Sequence, residues 1–232
     1  MTWTNETSAP EDIAVDRAWD ALNRVLDRRV RVSVQMRVTA CVADTLSFVT
    51  VVRSLAAGEI GRSDVRDEQM DKWARSDKRT APTAEWDKHF SFQFAAAVKA
   101  TYYFIRALQD SLYAALLEAT GQQAGTYSSM QQCAKNAKNP IHQLINQALP
   151  DYFAWFAELR AIRNEMKTGA STGFGYRGVK GARDVRLILQ HVDDANRHVS
   201  HGRELSLVDI ERCLTQTEAL LRWSTDHITA PE

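Results

Sequence analysis

The chain has 232 residues, 29 Lys and Arg against 29 Asp and Glu, and 44% hydrophobic side chains. A chain of this size buries roughly 70–75% of its unfolded surface, so one large domain can hold a core without disulfides or metal. The composition excludes a disordered or collagen-like chain and a disulfide scaffold, and the charge balance excludes a broadly basic nucleic-acid binder.

Met1 to Pro10 is polar, so no secretory leader is expected. The longest uninterrupted apolar run, Tyr152 to Ala157, falls far short of the ~20 residues that cross a bilayer, so no membrane contact is expected. Cys41, Cys133 and Cys213 are widely spaced and form no Cys-x-x-Cys pair, which suits reduced, buried thiols in a cytoplasmic protein.

Asp12 to Asp27 places Ile13, Ala14, Ala18, Leu22, Val25 and Leu26 at helical spacing. Residues 30–38 alternate as a strand would, but Val34, Val38, Cys41, Val42, Thr45 and Val49 also make a helical stripe. Helix is favoured, because that pattern runs to Ala57 and meets Gly58, a suitable C-terminal cap. The charged stretch from Gly58 to Arg79 predicts a short exposed helix near Asp67 to Ala74. Ala84 to Thr120 has no Gly or Pro and repeats Phe90, Phe94, Val98, Tyr102, Ile105 and Leu108 every three or four residues, a long helix stopped by Gly121.

Loops and short helices follow, marked by Gly125, Asn139-Pro140 and Pro150, and then an amphipathic helix from Asp151 to Thr168. Residues 169–183 are Gly-rich and read as loop. Val185 to Val192 alternates as a strand and can form a hairpin with residues 197–201. Ser206 is placed to cap the last helix, with Asp209 in the capping-box position. The sum is an all-α, multi-helix bundle with a long central helix pair and one small β-hairpin inserted before the last helix. It forms a single domain over residues 1–232, its core spanning about 84–227 and the N-terminal helices 11–57 packing on it.

The chemistry gathers on the helix ending at Lys167. At about 100° per residue, Arg160, Arg163, Asn164 and Lys167 share an arc of roughly 100°, while Glu158 and Glu165 point elsewhere. From residue 160 to 186 seven cations face two acids, a local charge of +5 in a neutral chain. Arg forks and a Lys ammonium suit phosphate. A helix dipole also favours cations in a last turn without any ligand.

Arg163-Asn164-x-x-Lys167-Thr168-Gly169 at the end of an amphipathic helix resembles the Arg-polar-x-x-x-His ending of the HEPN superfamily. The likeness extends to a long preceding helix, the motif helix, and a final helix after an insertion, over residues 84–227. The resemblance implies an α-helical homodimer and an RNA- or nucleotide-binding cleft, with metal-independent ribonuclease chemistry in defence or toxin–antitoxin systems. Arg163 and Asn164 would be the catalytic pair, and Arg160, Lys167 and Thr168 the phosphate ligands. Thr168 stands where the family's His would fall, followed by Gly169 and Ala170, and the next His is His191.

Cleavage without metal needs a group that shuttles protons near neutrality, which Thr cannot do. A degenerate member that binds without cutting is thus an equal expectation, unless His142 or His191 folds back. The alternative from a different class is a non-catalytic structural or interaction protein, in which the same cations merely pair with acids and cap the helix. Asp110, four residues after Arg106, is the expected partner orienting Arg163. Gly173-x-Gly175-x-x-Gly178 lacks the strand-before, helix-after setting of a dinucleotide site. In the expected hairpin His191 and His198 face each other while His201 projects to the opposite face, short of the three or four converging ligands of a closed metal site, so a metal enzyme built on this hairpin is a third and weaker alternative. No cofactor and no metal are expected.

Overall fold

The computed structural model describes residues 9–27, 29–75, 88–122, 128–167, 171–179, 182–193 and 198–229. Helix α1 (Pro10–Leu26) starts with Pro at its first turn and Glu11 and Asp12 at the positive end of its dipole. Its buried face, Val15, Trp19, Leu22 and Leu26, lies along the last helix, α7 (Leu207–Thr229). Both ends of this pair are tied. Arg53 engages Asp12 and lies 3.6 Å from Glu11 and 4.0 Å from Glu211, and Arg29 donates to the Ile228 carbonyl at 2.8 Å. The two helices therefore run parallel.

Residues 32–38 are helical, as the longer stripe predicts, within α2 (Val32–Ala74). Gly58 does not end it. A glycine cap needs a left-handed backbone, and among the described residues only Gly121 has one. Helix α2 instead continues through Gly58 and Gly61, with Ala56 and Glu59 still buried, and absorbs the separate short helix expected at 67–74. The segment Val32–Gly61 is long and apolar enough to cross a membrane by length and composition. A search for unbroken apolar runs misses it, because Ser, Thr and single charged residues such as Arg37, Asp44 and Arg53 interrupt the pattern.

Helix α3 (Lys88–Ala119) lies antiparallel to α2. Glu118 holds the Arg31 backbone at 3.0 Å and its Nε at 2.7 Å, Cys41 meets Ser111 at 3.8 Å, and Phe48 stacks on Phe104 at 5.3 Å. Its C-terminus closes as expected at Gly121, φ 71°. The Gly121 N–H donates to Glu118 at 3.0 Å and the Gln122 N–H to Leu117 at 2.8 Å, a Schellman arrangement. Two short helices follow, α4 (Met130–Lys135) with a Ser129–Gln132 capping box and α5 (Pro140–Ala148) capped by Asn139. Helix α6 (Tyr152–Lys167) comes next.

The hairpin before the last helix is present as β2 (Ala182–Asp193) and β3 (His198–Leu205), antiparallel. It is widened by β1 (Ser171–Val179), which pairs antiparallel with β2 from Ser171↔Gln190 to Val179↔Ala182. Residues 171–179 are thus strand rather than the expected loop. Their glycines give little intrinsic strand preference, and the pairing comes from β2, which is anchored by Val185, Leu187 and Leu189 buried in the core. Ser206 opens α7, its N–H and hydroxyl both donating to Asp209 at 2.8 Å. The architecture is a helical bundle with one small sheet, and one continuous core runs through α1, α2, α3, α6, α7 and β2.

Candidate functional site

Helix α6 lies antiparallel to α3, and two layers of contact fix the register. Inside, the Tyr152 hydroxyl donates to Gln109 Oε1 at 2.6 Å, Gln109 Nε2 donates to Thr217 Oγ1 at 3.2 Å, and Thr217 Oγ1 donates to the Cys213 carbonyl at 2.8 Å. This buried chain joins α6, α3 and α7 and leaves no member without a partner. Burial drives the Tyr152 phenol well above its usual pKa, so it stays a donor. Beside it the largely buried Arg106 guanidinium lies 4.9 Å from the buried Phe156 ring, and nearer the surface the Arg163 guanidinium lies 5.0 Å from the Tyr103 ring.

Arg163 is therefore half-buried against an aromatic ring that is itself 38% exposed. Arg160 is half-buried, and Asn164 and Lys167 are exposed on the same helix. Thr168 lies outside the described residues. Asp110 does not orient Arg163. It pairs with Arg106 and accepts the Met130 N–H at 2.8 Å, tying the start of α4 to α3. The reason is distance: Arg163 sits over Tyr103, seven residues and about 10 Å along the helix from Asp110. The intrahelical Arg106–Asp110 pair is the one the spacing predicts.

The acids of α6 are engaged on its other side. Glu158 receives Arg203 at 3.3 Å and Arg212 at 3.2 Å, and Glu165 receives Arg203 at 3.4 Å. Among the described residues no ion pair engages Arg160, Arg163 or Lys167, and Arg163 Nε has no hydrogen-bond partner. One helix thus separates paired acids from open cations. Such a face attracts anions, and an exposed tyrosine beneath an arginine adds a flat surface for a base.

Other groups are structural. His142 places Nδ1 3.0 Å from the Cys133 carbonyl and stacks on Phe153 at 4.1 Å, so it does not fold back to Arg163. The side chains of His191, His198 and His201 lie outside the described set, but the strand register sets His191 opposite Ser200 and His198 opposite Asp193, so His191 and His198 do not face each other as the expected hairpin would place them. Among the described residues no group of three His, Cys, Asp or Glu could hold a metal. The Gly173–Gly178 motif lies in β1, a strand with no helix N-terminus after it.

All three cysteines are free and buried, and burial pushes Cys133 and Cys213 up to about 12, leaving them as thiols. A crevice between α3, α6 and α7, lined by Tyr102, Trp155, Glu158 and Cys213, has a cavity of about 10 Å³, room for one water. Tyr103, Gln109 and Arg203 were not singled out from sequence as site residues. Gln109 carried a usable signal, a polar residue beside Leu108 on the apolar face; Arg203 carried none, because its partners come from a different element.

No family model, no curated protein and no solved structure matches this chain.

Proposed function

We propose that the outer α3–α6 face binds single-stranded RNA or a related polyanion without cutting it. Arg160, Arg163 and Lys167 meet phosphates, Asn164 supplies an uncharged polar contact, and Tyr103 stacks a base. The observation that carries this reading is the division of α6, with its acids held by Arg203 and Arg212 and its cations left without acid partners among the described residues. The Arg-Asn-x-x-Lys ending adds the HEPN likeness, and with it a cytoplasmic homodimer in defence or toxin–antitoxin biology. Thr168 in place of His supports binding over cleavage, since no group at that position shuttles a proton.

The test is anisotropy of a labelled single-stranded RNA, titrated at two salt concentrations, alongside a cleavage assay on total RNA. Wild type binds without cleaving. Arg163→Ala weakens binding about 10-fold, and Arg160→Glu with Lys167→Glu abolishes it and flattens the salt dependence. Thr168→His gains cleavage if the site is a decayed nuclease. No binding at low salt, or binding indifferent to these substitutions, overturns the reading.

A second reading has its own observation. Arg163 over Tyr103 and Arg106 over Phe156 both help hold α6 on α3, as a purely structural or interaction protein would use them. In that case Arg163→Ala lowers stability and changes no ligand's affinity.

A further inference from the structure

A surface helix normally turns a charged face to water, with its apolar stripe inward. The segment of α2 from Val32 to Gly61 breaks that rule. Its inner side packs on α3, yet only 28% of its most apolar 18-residue window is buried. The outward arc, about 120° wide, holds Met36, Ala40, Ala43, Ser47, Val51 and Ser54. Between Val38 and Gly61 no exposed position carries a charge. Met36 and Val32 are each 67% exposed at one end.

Two further observations fit a face that can lose water, the first of them common to helical threonines throughout the bundle. Thr39 and Thr50 donate their hydroxyl protons to carbonyls of their own helix, Gln35 at 3.0 Å and Leu46 at 3.0 Å, so neither donor needs an outside partner. Gly58 and Gly61 sit inside the helix with helical backbone, and a Cβ added to either would meet nothing within 4 Å. A helical glycine costs about 0.5–1 kcal/mol relative to alanine. Among the described residues no contact requires that cost at either position. Bare backbone on an uncharged face is what lets a second helix approach closely.

We propose that this face is a self-association surface, on which α2 of a second copy of this chain packs. The small side chains recur at four-residue spacing, Ala43 to Ser47, Ser54 to Gly58 and Ala57 to Gly61, and a patch of that kind is complementary to itself, as a two-fold interface requires. Thirty residues of helix are about 45 Å long, which gives about 500 Å² of face per copy and about 1,000 Å² for the pair, the size at which a specific interface begins. A bilayer is the poorer occupant. The inner side of the same segment carries buried Glu59, and Arg53 bound to Asp12, so α2 cannot be ringed by lipid while the bundle is intact. The proposal does not rest on the RNA reading of the α3–α6 face; the HEPN likeness also implies a homodimer, and the substitutions on α2 tell this interface from one built elsewhere.

Sedimentation velocity on the full chain, from low to high micromolar concentration, tests it. Wild type sediments as a dimer. Ala43→Arg or Ser47→Arg, each on the exposed face, weakens association by on the order of 100-fold or more, because an unpaired charge would be buried, while helical circular dichroism is unchanged. Gly58→Leu also weakens it. Ser47 lies at the midpoint of the face and meets its own copy whether the helices run parallel or antiparallel. Ser47→Cys therefore forms an intermolecular disulfide under oxidation, and wild type, whose cysteines are buried, forms none. A wild-type monomer at every concentration overturns the proposal. So does a dimer insensitive to both Arg substitutions, or binding to neutral phosphatidylcholine vesicles that Ala43→Arg abolishes.

Discussion

The two sides of α6 carry similar chemistry to opposite ends. On one, Glu158 and Glu165 meet Arg203 and Arg212 from β3 and α7, and charge is closed within the fold. On the other, Arg160, Arg163 and Lys167 meet no acid among the described residues, and the principal contact is an aromatic ring. Beneath both runs the Tyr152–Gln109–Thr217 chain, in which every polar atom is used. The difference teaches that the helix is fixed in place by its buried hydrogen bonds and its paired side, so the open cations are free of a structural duty to acids. Charge left over after the fold is satisfied is the charge available to a ligand.

Substitutions along α6 should separate these layers. The largest effect on stability falls on the buried chain: Tyr152→Phe leaves the Gln109 carbonyl without its donor and lowers unfolding free energy by about 1–3 kcal/mol, measured by urea denaturation, with RNA affinity of the folded protein unchanged. Arg163→Met comes next, losing about 0.5–1 kcal/mol of cation–π attraction while weakening RNA binding. If stability falls by as much as in Tyr152→Phe, the open side is structural and the contrast fails. Glu158→Gln, at a half-exposed pair, should cost only a few tenths of a kcal/mol and leave binding intact. A loss of affinity there would mean that the two sides are coupled.

Acid titration sharpens the contrast from the far end of α3. The Arg31 side chain and backbone N–H hold the Glu118 carboxyl below its usual 4.5. The contribution of this tether is complete above 4.5 and is lost as pH falls through the lowered folded-state value. Denaturation midpoints measured down that range should decline for wild type and less steeply for Glu118→Gln.

Helical periodicity made most of the bundle legible, because α1, α3, α6 and α7 each bury one stripe and water keeps the other. The caps at Gly121 and Ser206 were legible for the same local reason. What periodicity could not supply was the fate of residues whose neighbours lie far along the chain. Gly58 has the chemistry of a stop, yet packing beyond it at Glu59 carries α2 onward. Residues 171–179 have the composition of a loop and become a strand because β2 offers them an edge. Charge alone makes Asp110 a plausible partner for Arg163, but the helix register holds it with Arg106 instead. The cationic arc on α6 was visible because it is local to one helix; Tyr103 beneath it was not, because it arrives from another.

The hydrogen bond from Arg29 to Ile228 spans 199 positions of the chain. At a synthesis rate of about 5–20 residues per second, Arg29 is made about 10–40 s before its acceptor exists. During that interval Trp19, Leu22 and Leu26 have no α7 to cover them. The α1–α7 contact is therefore among the last to form, and until then the side of α1 that α2 does not reach is open to chaperones or to neighbouring nascent chains.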